Sequence, residues 1–160
     1  MAAKYSDKEI AALLQERKPL PQDYQARIQL RSKCGHKERD LDVVGENGNQ
    51  FRLILRQSDS SPLDFSIILG VFPPNSQELF RLRRYNGRSH EHTNRIEGKT
   101  FWNFHIHAAT ERYQELGMRE DSYAEPTECF SDFRSALCSM LKDCGFEVPT
   151  EGQRTFLEGE

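Results

Sequence analysis

A chain of 160 residues suits one domain and is long enough to bury a sizeable core. Aromatic residues at 10%, set against 29% charged residues, argue for a folded body with a polar surface rather than a disordered chain. The net charge of -3 gives the whole molecule no electrostatic claim on nucleic acid, and the longest apolar run, Phe65 to Phe72, is too short to span a bilayer.

Ser6 followed by Glu9 matches a capping box, and Ile10, Leu13 and Leu14 share one helical face. Pro19 and Pro21 end that helix near Lys18. The period then changes to two. Tyr24, Ala26, Ile28 and Leu30 alternate with Gln25, Arg27, Gln29 and Arg31, which predicts a half-buried strand. His36, beside Cys34 and Gly35, reads as a hairpin loop residue. Leu41 and Val43 continue the β pattern, and Asn47-Gly48 supplies a turn into Phe51, Leu53 and Leu55. Phe65 to Phe72 predicts a central strand covered on both faces. After Pro73-Pro74-Asn75 comes a strand from Leu79 to Tyr85, with Asn86-Gly87 as its turn. Phe101 to His107 makes a sixth strand. Phe130, Phe133, Leu137, Met140, Leu141 and Cys144 follow helical spacing, with Thr127 or Ser131 to cap the start and Gly145 to stop it.

The expected fold is therefore α+β: a curved antiparallel sheet of about six strands, with an N-terminal and a C-terminal helix packed on one face. Residues 1–148 are expected to form this single domain, and 149–160 a mobile tail. Four cysteines show no CxxC spacing, and no signal peptide is evident at the start, so a reducing cytoplasm is the expected compartment, without disulfides.

The stretch from Arg81 to Tyr113 carries most of the chemistry. It holds four of the five histidines, as the pairs His90/His92 and His105/His107, and, between Arg81 and Arg95, the arginines Arg81, Arg83, Arg84, Arg88 and Arg95. Residues two apart on a strand point the same way. Trp102, Phe104 and Ile106 are then expected to face the core, and Asn103, His105 and His107 to share an opposite face that the helices leave open.

Three functions fit these residue types. One is metal-independent phosphodiester cleavage, a ribonuclease chemistry. Histidine supplies a proton-transfer group that titrates near neutrality, and arginine a planar fork for phosphate oxygens. In that reading His105 and His107 act as base and acid. Arg83, Arg84 and Arg88 hold phosphate, Asn86, His90, His92 and Asn103 line the binding surface, and Tyr113 assists. Tyr85 or Tyr113 stacks on a base, and no cofactor is required. The second is a zinc site drawn from His90, His92, His105 and His107, with Glu91 or Glu111 as further ligands. The third is a binding surface without turnover, in which the histidines are plain hydrogen-bonding residues and the partner is RNA or another protein. Asp121, Glu125 and Glu128 form an acidic run that either favours the last helix or meets the basic segment. Walker, Rossmann, nucleophile-elbow and zinc-finger spacings are absent from the sequence.

Arg84-Tyr85-Asn86-Gly87, then His90 and His92, then Phe104-His105-Ile106-His107, resemble a group of small uncharacterised bacterial proteins. That group carries an arginine–aromatic–Asn-Gly turn, a histidine-rich loop and a closing His-Ile-His strand. Such proteins occur near prophages, mobile elements and toxin–antitoxin or defence loci. The resemblance covers the central third of the chain. It implies an intracellular bacterial protein, a ribonuclease-like toxin or defence activity, and an antitoxin or complex subunit as a protein partner.

Overall fold

The computed structural model describes residues 4–88 and 91–149. The N-terminal capping box forms: Ser6 Oγ accepts from Glu9 N–H at 3.1 Å and Glu9 Oε1 from Ser6 N–H at 2.9 Å, opening helix α1, Asp7–Gln15. The short strand β1, Lys18–Pro19, follows. Tyr24 to Leu30 is not a strand. It contains the helical turn α2, Tyr24–Arg27, and its buried residues are Tyr24 and Ile28. That four-residue spacing is helical, and it outweighed the apparent alternation.

Cys34 and Gly35, with φ of 33° and 86°, make a two-residue turn between β2, Arg31–Lys33, and β3, His36–Val44, so His36 opens a strand. The chain continues through β4, Gln50–Ser58, β5, Phe65–Phe72, and β6, Phe80–Asn86. A small hairpin follows, made of β7, His92–Asn94, and β8, Lys99–Phe101. Next come β9, His105–Ala108, the turn of helix α3, Glu111–Glu115, and β10, Ala124–Pro126. Helix α4, Phe133–Asp143, and β11, Phe146–Glu147, complete the described chain. Asp132, rather than Thr127 or Ser131, caps α4, accepting from Ser135 N–H at 2.8 Å. The expected tail, 149–160, lies outside the described residues apart from Pro149.

Seven strands pair antiparallel in the order β10-β9-β6-β5-β4-β3-β2, an open sheet one strand larger than expected. Asn86-Gly87 is no turn. Gly87 N–H donates to Phe65 O at 3.0 Å, prolonging the β5–β6 ladder, and a Cβ at Gly87 would lie 1.8 Å from Leu63 O. The expected sixth strand is interrupted, because residues 102–104 leave the ladder between β8 and β9.

One apolar cluster joins α1 through Ile10 and Leu13, α4 through Leu137, Met140 and Leu141, and the sheet through Leu53, Leu55, Ile67, Leu69 and Tyr85. Both terminal helices thus pack on one face, as the sequence pattern required. Lys18 is fully buried there. Its ammonium donates to the carbonyls of Leu13, Leu14, Glu16 and Cys144 at 2.7–3.1 Å and lies 4.5 Å from the Phe51 ring centroid. Those carbonyls sit at the C-terminal ends of α1 and α4, where unpaired acceptors and helix dipoles favour a cation. No helix among the described residues is long and apolar enough to cross a membrane.

Candidate metal centre

Strands β6 and β9 pair in a register that sets Arg84 opposite His107 and Asn86 opposite His105. Alternation turns Tyr85 and Ile106 toward the helices and these four polar residues to the other face. The register shift between Leu69 and Gly70 leaves Leu82 as the extra residue of β6; beyond it Arg83 and Arg84 pair with Leu69 and Ile68 in turn and alternate in direction. Arg83 lies on the helix side, among Tyr85, Asp143 and Cys144. The two adjacent arginines therefore serve opposite faces.

The histidine face is not open, contrary to expectation. His105 and His107 are 0% and 2% exposed, whereas Trp102, expected in the core, is 59% exposed. The cover is the β7–β8 hairpin. Its Asn94 amide pairs with the backbone of Ala124: Nδ2 donates to Ala124 O at 2.6 Å and Oδ1 accepts from Ala124 N–H at 2.8 Å. Tyr113 fastens the loop of the same hairpin, since its hydroxyl donates to Glu97 Oε1 at 2.8 Å and accepts from Ile96 N–H at 3.3 Å.

This cover brings His92 onto the β9 pair. His92 stacks on His105 with ring centroids 5.5 Å apart and meets His107 edge-on at 4.7 Å. One nitrogen from each of His92, His105 and His107 lies within 4.8 Å of the others. The distant histidine pairs do converge, through one member of the first and both of the second. His90 lies outside the described residues. Neither Glu91 nor Glu111 belongs to the cluster.

Hydrogen bonds select the tautomer of each neutral ring. His105 Nδ1 donates to Asn103 O at 2.8 Å, and His107 Nδ1 donates to Asp121 O at 2.8 Å, which leaves each Nε2 with a lone pair. His92 Nε2 lies 2.9 Å from Asn94 Oδ1. The Ala124 clasp fixes that atom as the oxygen, so His92 Nε2 carries the proton and Nδ1 the lone pair. Asn86 is oriented likewise. Its Oδ1 accepts from Ser66 Oγ–H at 2.9 Å, which aims Nδ2 at His105 Nε2, 3.5 Å away.

Charge accumulates beside the cluster. Arg84 Nη2 lies 3.3 Å from His107 Nε2, and Arg84 Nε 3.7 Å from Asp121 Oδ2. Arg119 Nε lies 3.2 Å from Asp121 Oδ1. Asp121 is fully buried, yet neither carboxylate oxygen has a hydrogen-bond partner among the described residues, and Arg84 Nε is also a buried donor without one. Burial first, then Arg84 and the other two histidines, push the His107 pKa down to about 2, which keeps its ring neutral.

The site borders a cleft of about 640 Å³, lined in part by Arg84, Asn86, His92, Arg95, His107 and Arg119. Tyr113 and Asp121 also reach it. Of the expected site residues, Arg84, Asn86, His92, His105, His107 and Tyr113 are gathered here. Arg83, Arg88 and Asn103 are not. Arg88 lies 5.8 Å from the Phe104 ring centroid, away from the cleft, and Asn103 contributes its backbone carbonyl rather than its side chain. Tyr85 cannot stack on a base, being buried against Phe130 with its hydroxyl bonded to Asp143 Oδ2 at 2.5 Å. Asn94 and Arg119 carried no expectation. The two-residue spacing from His92 to Asn94 could have revealed the first; nothing in the sequence marks the second.

The fold and this cluster define the class: an α+β sheet protein with three histidines gathered under a hairpin. No family model, no curated protein and no solved structure matches the chain significantly.

Proposed function

We propose that His92, His105 and His107 bind one divalent transition-metal ion, zinc before others, and that the chain is a metal-dependent enzyme of hydrolytic type. The observation that carries this reading is the convergence of one imidazole nitrogen from each of three rings within 4.8 Å, in rings that each also bond a carbonyl oxygen through a nitrogen. Outer hydrogen bonds of this kind orient histidine ligands and raise their basicity. An all-imidazole set suits zinc, and three protein ligands leave a coordination position for water. When bound, such an ion supplies a water acidic enough to act as a nucleophile near neutral pH.

His92, His105 and His107 would hold the ion through one nitrogen each, after a small inward adjustment of rings whose nitrogens now lie within 4.8 Å of one another. For His107 Nε2 to serve as a ligand, Arg84 Nη2 would have to give up its contact there, and the buried Asp121 carboxylate would remain as the partner of that guanidinium. Acid–base catalysis by His105 and His107 without a metal draws less support, because both rings are buried and both Nδ1 atoms are engaged by backbone carbonyls.

Protein purified without a histidine tag, loaded with zinc and desalted, is expected to retain about one ion per chain. Cobalt in its place is expected to show the absorption of a tetrahedral site. His92→Ala and His107→Ala are each expected to lose the ion while remaining folded. A folded wild-type protein that retains no metal ends this reading, and RNA cleavage by that metal-free protein would favour the ribonuclease reading instead.

A further inference from the structure

We propose that the cleft beside the histidines takes a small phosphate monoester, its phosphoryl group held by Arg84, Arg95 and Arg119. This names the substrate class of the metal-centre reading and rests on it for the reaction, though not for phosphate binding itself.

Three guanidinium groups and one carboxylate, Asp121, line the cleft, which leaves its described wall two charges positive. Asp121 sits between Arg84 and Arg119, holding both guanidiniums at the cleft wall. Arg84 Nε is a buried donor without an acceptor. Such a donor costs about 1–3 kcal/mol, which a ligand oxygen recovers. Arg95 is exposed at the same cleft and has no carboxylate partner among the described residues. Asn86, Ser66 and Thr93 add neutral polar groups to the wall.

The charge selects the ligand. A phosphate monoester carries close to two negative charges at neutral pH, whereas a carboxylate or a phosphodiester carries one. Arginine forks fit its oxygens, and the hydrogen bonds are charge-assisted. A volume of about 640 Å³ falls in the range of small-molecule pockets. His92 and His107 form part of the wall of that pocket, so a phosphoryl group held there would lie beside the candidate metal site.

The test is calorimetric titration of the full chain with inorganic phosphate at low ionic strength, in metal-free and zinc-loaded, desalted forms. Acetate and dimethyl phosphate serve as single-charge controls. Wild-type protein is expected to bind one phosphate per chain and to prefer it to both controls. Arg119→Gln and Arg95→Gln are each expected to weaken binding about tenfold, with zinc content unchanged. Arg95→Gln removes no ion pair within the described residues, so it separates ligand contact from folding, and Arg31→Gln on β2 is the neutral control. Absence of saturable phosphate binding, equal affinity for acetate or dimethyl phosphate, or variants that bind like the wild type would overturn the proposal. Zinc retention without phosphate binding sinks this inference alone; phosphate binding to a chain that retains no zinc sinks the metal reading alone.

Discussion

On one side of the sheet, Leu53, Leu55, Ile67 and Leu69 lie against α1 and α4 in an apolar cluster. On the other, over β6 and β9, the buried groups are Asn86, His105, His107 and Asp121, beneath a hairpin and a loop. The first side is stabilised by area removed from water, a non-directional gain that tolerates exchanges among apolar residues. The second requires a partner for every donor and acceptor, because burial of a polar group without one is unfavourable. A sheet that accepts that cost on one face holds those groups in fixed positions. There the chain places His92, His105 and His107, and the Asp121 carboxylate between Arg84 and Arg119.

The two faces are expected to fail separately, and three substitutions or probes break or sharpen the contrast. The largest effect is on the helix side. Lys18→Met removes the ammonium shared by four carbonyls and is expected to destabilise the protein by about 4 kcal/mol, lowering the melting temperature by about 10 °C. Thermal unfolding followed by circular dichroism measures it; a shift of under 2 °C would show that water replaces the ammonium without loss.

Asn94→Ala acts on the other side and is expected to be milder for the fold, about 2 kcal/mol, since it strands one N–H and one carbonyl of Ala124. Its main effect is expected on the candidate centre: with His92 released, zinc affinity falls 10- to 100-fold. Competition against a coloured chelator reads this directly, and unchanged affinity would mean that the Asn94 clasp does not position His92 for the ion.

The smallest effect concerns cysteine reactivity. Burial pushes the Cys144 thiol up to about 11, while Cys34 and Cys129 are exposed. At pH 8 the exposed pair is expected to react quickly with a thiol reagent, and Cys144 only on unfolding. If Cys144 stays protected in Asn94→Ala, the helix face has survived loss of the hairpin clasp; prompt labelling would show that the faces are coupled.

Much of this architecture was legible from periodicity. The capping box at Ser6 and Glu9, the run from Phe65 to Phe72 and the apolar spacing of the last helix each carry a local physical signal. The region from Tyr24 to Leu30 shows the limit of such signals, because a seven-residue stretch satisfied both an alternating and a helical pattern. For the candidate centre, the common face of His105 and His107 followed from their spacing. Its burial did not. The cover comes from Asn94 and Tyr113, whose partners Ala124, Ile96 and Glu97 are 16–30 residues away in sequence. Arg83 and Arg84, expected to hold phosphate together, are adjacent on one strand and so face opposite sides of the sheet. Asp121, read as one of an acidic run that favours the last helix or meets the basic segment, does meet Arg84, but nothing local announced its full enclosure.

The hairpin that delivers His92 forms a two-stranded sheet of its own and joins no strand of the main sheet. Its attachment runs through side chains, the Asn94 amide on Ala124 and the Tyr113 hydroxyl on Ile96 and Glu97. Such an arm opens by local fluctuation, at far lower free energy than global unfolding. Ion exchange at the three histidines would then be governed by the opening frequency of the arm rather than by the intrinsic lability of metal–nitrogen bonds. The Ala124 amide proton, protected only while Asn94 is seated, would trade with deuterium at that same frequency.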